Sequence, residues 1–95
     1  MSEVWISAAD GDDLIRADAI VILRMDRTGR LTVQLRDEAK VNVTLLEGSP
    51  GGARPPADFH RQLIRLVTEL AGSGGPRLVR ARQENGAWHW TSENL

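Results

Sequence analysis

Leu31-Thr32-Val33-Gln34-Leu35-Arg36 alternates apolar and polar side chains without interruption, and Val41-Asn42-Val43-Thr44-Leu45 repeats the pattern. Successive side chains of an extended chain point to opposite faces, so each segment reads as a half-buried strand. Residues opposed in an antiparallel pair point to the same side. That rule predicts Leu35 against Val41, Val33 against Val43 and Leu31 against Leu45, with Arg36 to Lys40 as the loop. Carried backward across the turn Asp26-Arg27-Thr28-Gly29-Arg30, it pairs Met25 with Leu31, Leu23 with Val33 and Val21 with Leu35. Three strands then share one apolar face, and Ile20 and Ile22 fall on the other, beside Gln34 and Arg36.

Outward from this meander, Leu14 to Met25 concentrates β-branched residues and reads as one strand buried on both faces. Val4 to Ser7 reads as a first strand, followed by turn chemistry at Asp10-Gly11-Asp12-Asp13. Glu47 to Pro55 is rich in Gly and Pro and reads as a loop. Pro55-Pro56 open a helix, because proline is tolerated in a first turn, and Asp58 suits the positive end of the helix dipole. Phe59, Leu63, Leu66, Val67 and Leu70 recur at three- and four-residue steps as one stripe; Arg61, Gln62, Arg65, Thr68 and Glu69 fill the opposite arc. Gly72 is the expected C-terminal cap. Asn85-Gly86, between Leu78-Glu84 and Ala87-Thr91, is a two-residue hairpin turn requiring positive φ at both positions. Pairing outward places Gln83 opposite Trp88, Arg82 opposite His89, Ala81 opposite Trp90 and Arg80 opposite Thr91. The expected fold is α+β, β-β-β-β-α-β-β: an antiparallel sheet of about six strands with one helix packed on it. It forms a single domain over 1–95, with a flexible loop at 46–55 and a C-terminal hairpin at 77–92.

The 95 residues carry a formal net charge of −1 and no cysteine, so disulfides and thiolate metal sites are excluded. The longest apolar run, Ala19 to Leu23, falls far short of a membrane span, and no leader pattern is visible. A cytoplasmic protein with no membrane partner is expected. Charge is unevenly spread. Residues 1–26 hold six acids against Arg16 and Arg24, whereas residues 54–82 hold six arginines against Asp58 and Glu69.

The glycine clusters Gly51-Gly52 and Gly72-Ser73-Gly74-Gly75 do not lead from a strand into a helix, as a phosphate-binding turn must. Asp10, Asp12 and Asp13 lack the later glycine and glutamate of a calcium loop, since Ile15 and Val21 stand there. His60 and His89 have no ligand partner at metal-site spacing, and no nucleophile elbow is present. No catalytic residue, metal site or cofactor is therefore expected, and the protein is read as a non-enzyme. Trp5, Trp88 and Trp90 are read as core residues. Ile20 and Ile22, with Leu46, are the candidate partner-binding surface, covered either by a second layer or by another chain. Arg61, Arg65, Arg80, Arg82 and His89 are the candidate anion-binding group, because guanidinium presents a planar fork to phosphate or carboxylate oxygens.

The opening Trp5-Ile6-Ser7-Ala8-Ala9-Asp10-Gly11, followed by Leu14-Ile15 and the run through Ile20 and Ile22, resembles short bacterial proteins of unassigned role that begin Trp-Ile-x-Ser-x-Asp. Ala8 stands where that pattern has Ser. The resemblance implies a small β-rich bacterial protein and supplies no catalytic residue. The functional expectation is an interaction module acting through contacts with a protein partner or with itself as a homodimer. Anion or nucleic-acid binding through the arginines is the alternative, and a small enzyme or ligand carrier with a pocket around His60 is the second alternative.

Overall fold

The computed structural model describes residues 3–36, 38–47, 54–72 and 74–95. Its elements in chain order are β1 (Val4–Ser7), β2 (Leu14–Arg16), β3 (Ile20–Met25), β4 (Leu31–Leu35), β5 (Glu38–Leu46), α1 (Phe59–Ala71), β6 (Arg77–Glu84) and β7 (Ala87–Asn94). The class is α+β, as expected, with seven strands and one α-helix among the described residues. The loop expected over 46–55 lies, at 48–53, outside the described residues.

The strands form two sheets, ordered β2-β1-β6-β7 and β3-β4-β5, rather than one. The division falls inside the segment expected to be one continuous strand. Ala17–Ala19 form a single 3-10 turn, closed locally by the Arg16 guanidinium on the Asp18 carboxylate at 3.1 Å. Ala and Asp are poor strand formers, and here they break the run so that β2 joins the first sheet and β3 begins the second. The β1–β6 pairing is parallel, with Ile6 beside Val79. The two sheets are linked where the Ala9 N–H donates to the Thr44 carbonyl at 2.9 Å.

Within the meander, the pairs Leu23–Val33, Met25–Leu31 and Val33–Val43 form as expected. Three others are corrected. Leu35 stands opposite Ile20 rather than Val21, and opposite Glu38 rather than Val41, while Leu31 stands opposite Leu46 rather than Leu45. Each slip accompanies a register shift, which adds a residue to one strand and reverses the alternation beyond it. Around Val21 this turns Ile20 toward the core while Ile22 stays outside beside Gln34. Around Leu45 it lets Leu45 and Leu46 both face inward, at 3% and 4% exposure.

Helix α1 starts three residues after Pro56, whose carbonyl accepts the Phe59 N–H. Gly72 closes it with right-handed geometry (φ −88°), so the cap does not exploit glycine's access to positive φ. The terminal hairpin has every expected pair, with Asn85 at φ 53° and Gly86 at φ 79°. Its inner face brings Trp90 onto Phe59, the rings stacked with centroids 4.5 Å apart, and the Trp90 Nε1–H donates to the Phe59 carbonyl at 2.8 Å. Phe59, Leu63, Leu31, Val33, Ile6 and Val79 are almost fully buried and draw on both sheets and the helix.

Trp5 corrects the expectation of a third core indole. It pairs in register with Leu78 and shares the reverse face of the first sheet with it, away from the core cluster. Its indole N–H donates to Glu3 at 3.3 Å, and the Arg16 guanidinium lies 5.9 Å from the ring centre. Trp90→Ala is expected to destabilise the fold by about 3 kcal/mol, through loss of a large aromatic contact at the helix–sheet junction. Trp90→Phe keeps the stack but loses the hydrogen bond, costing about 1 kcal/mol. Urea unfolding of both variants checks the ratio.

Candidate functional site

Strand β3 is an edge strand, paired among the described residues only with β4. It lies beside α1, and three separate recesses line the seam between them. As the helix proceeds from His60 to Ala71, its neighbours run backward from Met25 to Ala17. His60 shares a cleft of about 350 Å³ with Met25, Arg27 and Arg54. Leu63, Ile64, Val67 and Thr68 face Ile20, Val21 and Leu23 across a groove of about 420 Å³, with Ile6 and Ala17 also in its lining. Val67 and Ala71 meet Ala17 and Asp18 across a smaller recess of about 150 Å³.

The central groove is apolar apart from Thr68, whose hydroxyl already donates to the Ile64 carbonyl at 2.8 Å. Its rims are Val21, 54% exposed, and Ile64, 56% exposed. Val21 is exposed because the register shift displaces it from the strand's alternation. Ile64 is exposed because it lies about 100° around the helix from Leu63, off the buried stripe.

The His60 end differs in chemistry. Arg27 and Arg54 are exposed, and neither takes part in an ion pair among the described residues. The His60 Nδ1 is buried and has no hydrogen-bond partner among the described residues. Asp26 also lines this cleft, but its Oδ1 is engaged by the Thr28 N–H, the Thr28 hydroxyl and the Arg30 N–H at 2.9, 2.7 and 3.0 Å. The Thr28 hydroxyl, then the Arg30 N–H, hold its carboxyl below the usual 3.8. The turn carrying Arg27 is seated by Gly29, which is buried at φ +85°; a Cβ there would approach the Pro55 Cδ to 2.9 Å.

The residues singled out from sequence are distributed as follows. Ile20 lines the apolar groove and packs against the core. Ile22 stands alone among polar neighbours on the outer face of the second sheet. Leu46 is buried, which corrects its assignment to a contact surface. Arg61 and Arg65 lie on the exposed arc of α1, whereas Arg80, Arg82 and His89 lie on the reverse face of the first sheet. The single arginine-rich face is therefore corrected too: α1 packs on the Trp90 side of that sheet, and strand alternation sends Arg80, Arg82 and His89 to the other side. There Arg80 is paired with Glu93 at 3.1 Å and the His89 Nε2 lies 3.4 Å from Glu84. Val21 and Ile64 were missed. Ile64 left a visible trace, as an isoleucine outside the helix's apolar stripe; Val21 left none, because the register shift that exposes it is set by packing.

Among the described residues no group of three or more His, Asp or Glu side chains is placed to hold a metal ion, and no helix is long and apolar enough to cross a membrane. No family model, curated protein or solved structure matches the chain.

Two outcomes test the geometry around this seam. Gly29→Ala is expected to cost clearly more stability than Gly11→Ala. Both have positive φ, worth about 1 kcal/mol to a side chain, but only Gly29 would drive a methyl group into a proline; equal losses in denaturant midpoint contradict the close seating. Asp26, with its folded pKa lowered, contributes stability that is complete above its ordinary value and is lost as pH falls through the lowered value. Asp26→Asn should therefore flatten the acid limb of the stability–pH curve below about pH 4 and leave its slope near neutrality unchanged.

Proposed function

We propose that this protein is a small non-enzymatic interaction module that works through protein–protein contacts at the groove between β3 and α1. The observation carrying this reading is the coincidence of a strand edge unpaired among the described residues with an apolar groove rimmed by exposed Val21 and Ile64. Free main-chain donors and acceptors on an edge strand supply affinity to an added strand, and the neighbouring groove supplies selectivity through side chains. The contact surface is thus moved from the face of Ile22 and Leu46 to a seam that includes Ile20. Anion or nucleic-acid binding through the arginines draws less support, because its residues are split between two sides of a sheet and Arg80 is already paired. The cleft beside His60 supports a ligand-binding role only as one end of the same seam.

The test is site-directed photocrosslinking from position 64 in cells that express the protein, combined with sedimentation of the purified chain at up to about 1 mM, far above typical dissociation constants of specific interfaces. A defined protein adduct or a concentration-dependent dimer, abolished by Val21→Glu, supports the reading. A strict monomer with no adduct contradicts it. Both rim side chains are more than half exposed, so Val21→Glu and Ile64→Glu should shift stability by less than about 1 kcal/mol, and thermal unfolding separates lost binding from lost folding.

A further inference from the structure

We infer that the seam takes an extended peptide segment of a partner protein, added antiparallel to β3, with an apolar side chain in the central groove and acidic side chains at the His60 end. The inference rests on the function proposed above and specifies its occupant. Charge complementarity selects that occupant. The groove between Leu23 and Ile64 is apolar, whereas a separate cleft, one helical turn back along α1 and two residues on along β3, holds two guanidiniums, Arg27 and Arg54, without ion partners among the described residues, and a buried His60 Nδ1 with no hydrogen bond to any of them. Asp26 is the opposing charge in that cleft, and its Oδ1 is already bonded to three donors of its own turn. Carboxylates entering there meet forked donors that no described acidic side chain pairs.

The spacing follows from strand geometry. From Met25 at the basic end to Leu23 and Ile20 at the apolar groove is two to five residues of β3, each advancing about 3.3 Å. The added strand therefore carries its acids about two to five positions from its apolar anchor. Antiparallel pairing is the commoner and slightly stronger mode, and it places the acids on the N-terminal side of the anchor. Their carboxylates come from Asp or Glu side chains. The register shift around Val21 limits regular pairing to the Ile22–Met25 part of the edge. Affinity accordingly depends on the two side-chain clusters as well as on the ladder.

Selection of the intact protein against random octapeptides, N-acetylated and presented in two sets with amidated or with free C-termini, tests this. The expected winners carry one or two acids followed, after the stated spacing, by Val, Ile or Leu. Combined Arg27→Ala and Arg54→Ala should weaken a winning peptide about tenfold, and raised salt should weaken wild type but not the double variant. Both arginines are exposed, so unchanged thermal unfolding is expected of that variant. Apolar winners without an acidic preference, lost on Ile64→Glu, would overturn the inference while leaving the groove's role intact. Binding that needs a free C-terminal carboxylate would overturn the side-chain source and the antiparallel direction. An empty selection, or winners indifferent to Val21→Glu and Ile64→Glu, would remove the inference and the underlying function together.

Discussion

The structure depends on one stripe of a single helix serving two sheets at once. Phe59 and Leu63 are almost wholly buried, and Phe59 is stacked on Trp90 of the first sheet while the same helix packs along β3 of the second. Neither sheet has a large enough apolar face to stand alone in a chain of this size. With the helix between them, their inner faces share one core. The hydrogen bond from the Trp90 indole to the Phe59 carbonyl ties the helix's first turn to the first sheet.

The candidate site lies where α1, held at its start to the first sheet, meets the edge strand β3 of the second. Ile64, Thr68 and His60 line the gap because they lie on the flank between the buried stripe and the solvated arc. Natural sheets commonly protect such an edge with a bulge or a charge, and β3 has a register shift around Val21 and a cation at Arg24. Those devices discourage indiscriminate pairing of like edges. They are compatible with an edge whose selectivity comes from what lies next to it.

The charge distribution gains meaning in the same frame. Sequence order groups six arginines in residues 54–82, but the fold scatters them: Arg80 is held by Glu93, Arg61 and Arg65 point from the helix into water, and Arg54 is brought beside Arg27 from the meander. The basic cluster that forms in space pairs two arginines distant in the chain, one of them from outside the basic segment. Gly29 permits this, since its lack of a side chain lets the turn press against Pro55.

Local patterns in the chain suffice for the α+β class, the hairpin around Asn85-Gly86 with its four expected cross-strand pairs, the buried stripe of α1 and the central pairs of the meander. Those features follow from short-range rules: alternation, helical spacing and turn residues that demand positive φ, all read within a few residues. Long-range packing sets the splitting into two sheets at Ala17–Ala19, the inward turn of Ile20 and Leu46, the reverse-face position of Trp5 and the seam from His60 to Ala71. A single inserted residue in a ladder reverses every side chain beyond it, and whether one is inserted depends on which partner strand and helix the chain must meet. Val21, Ile64, Arg27 and Arg54 come together through those long-range choices.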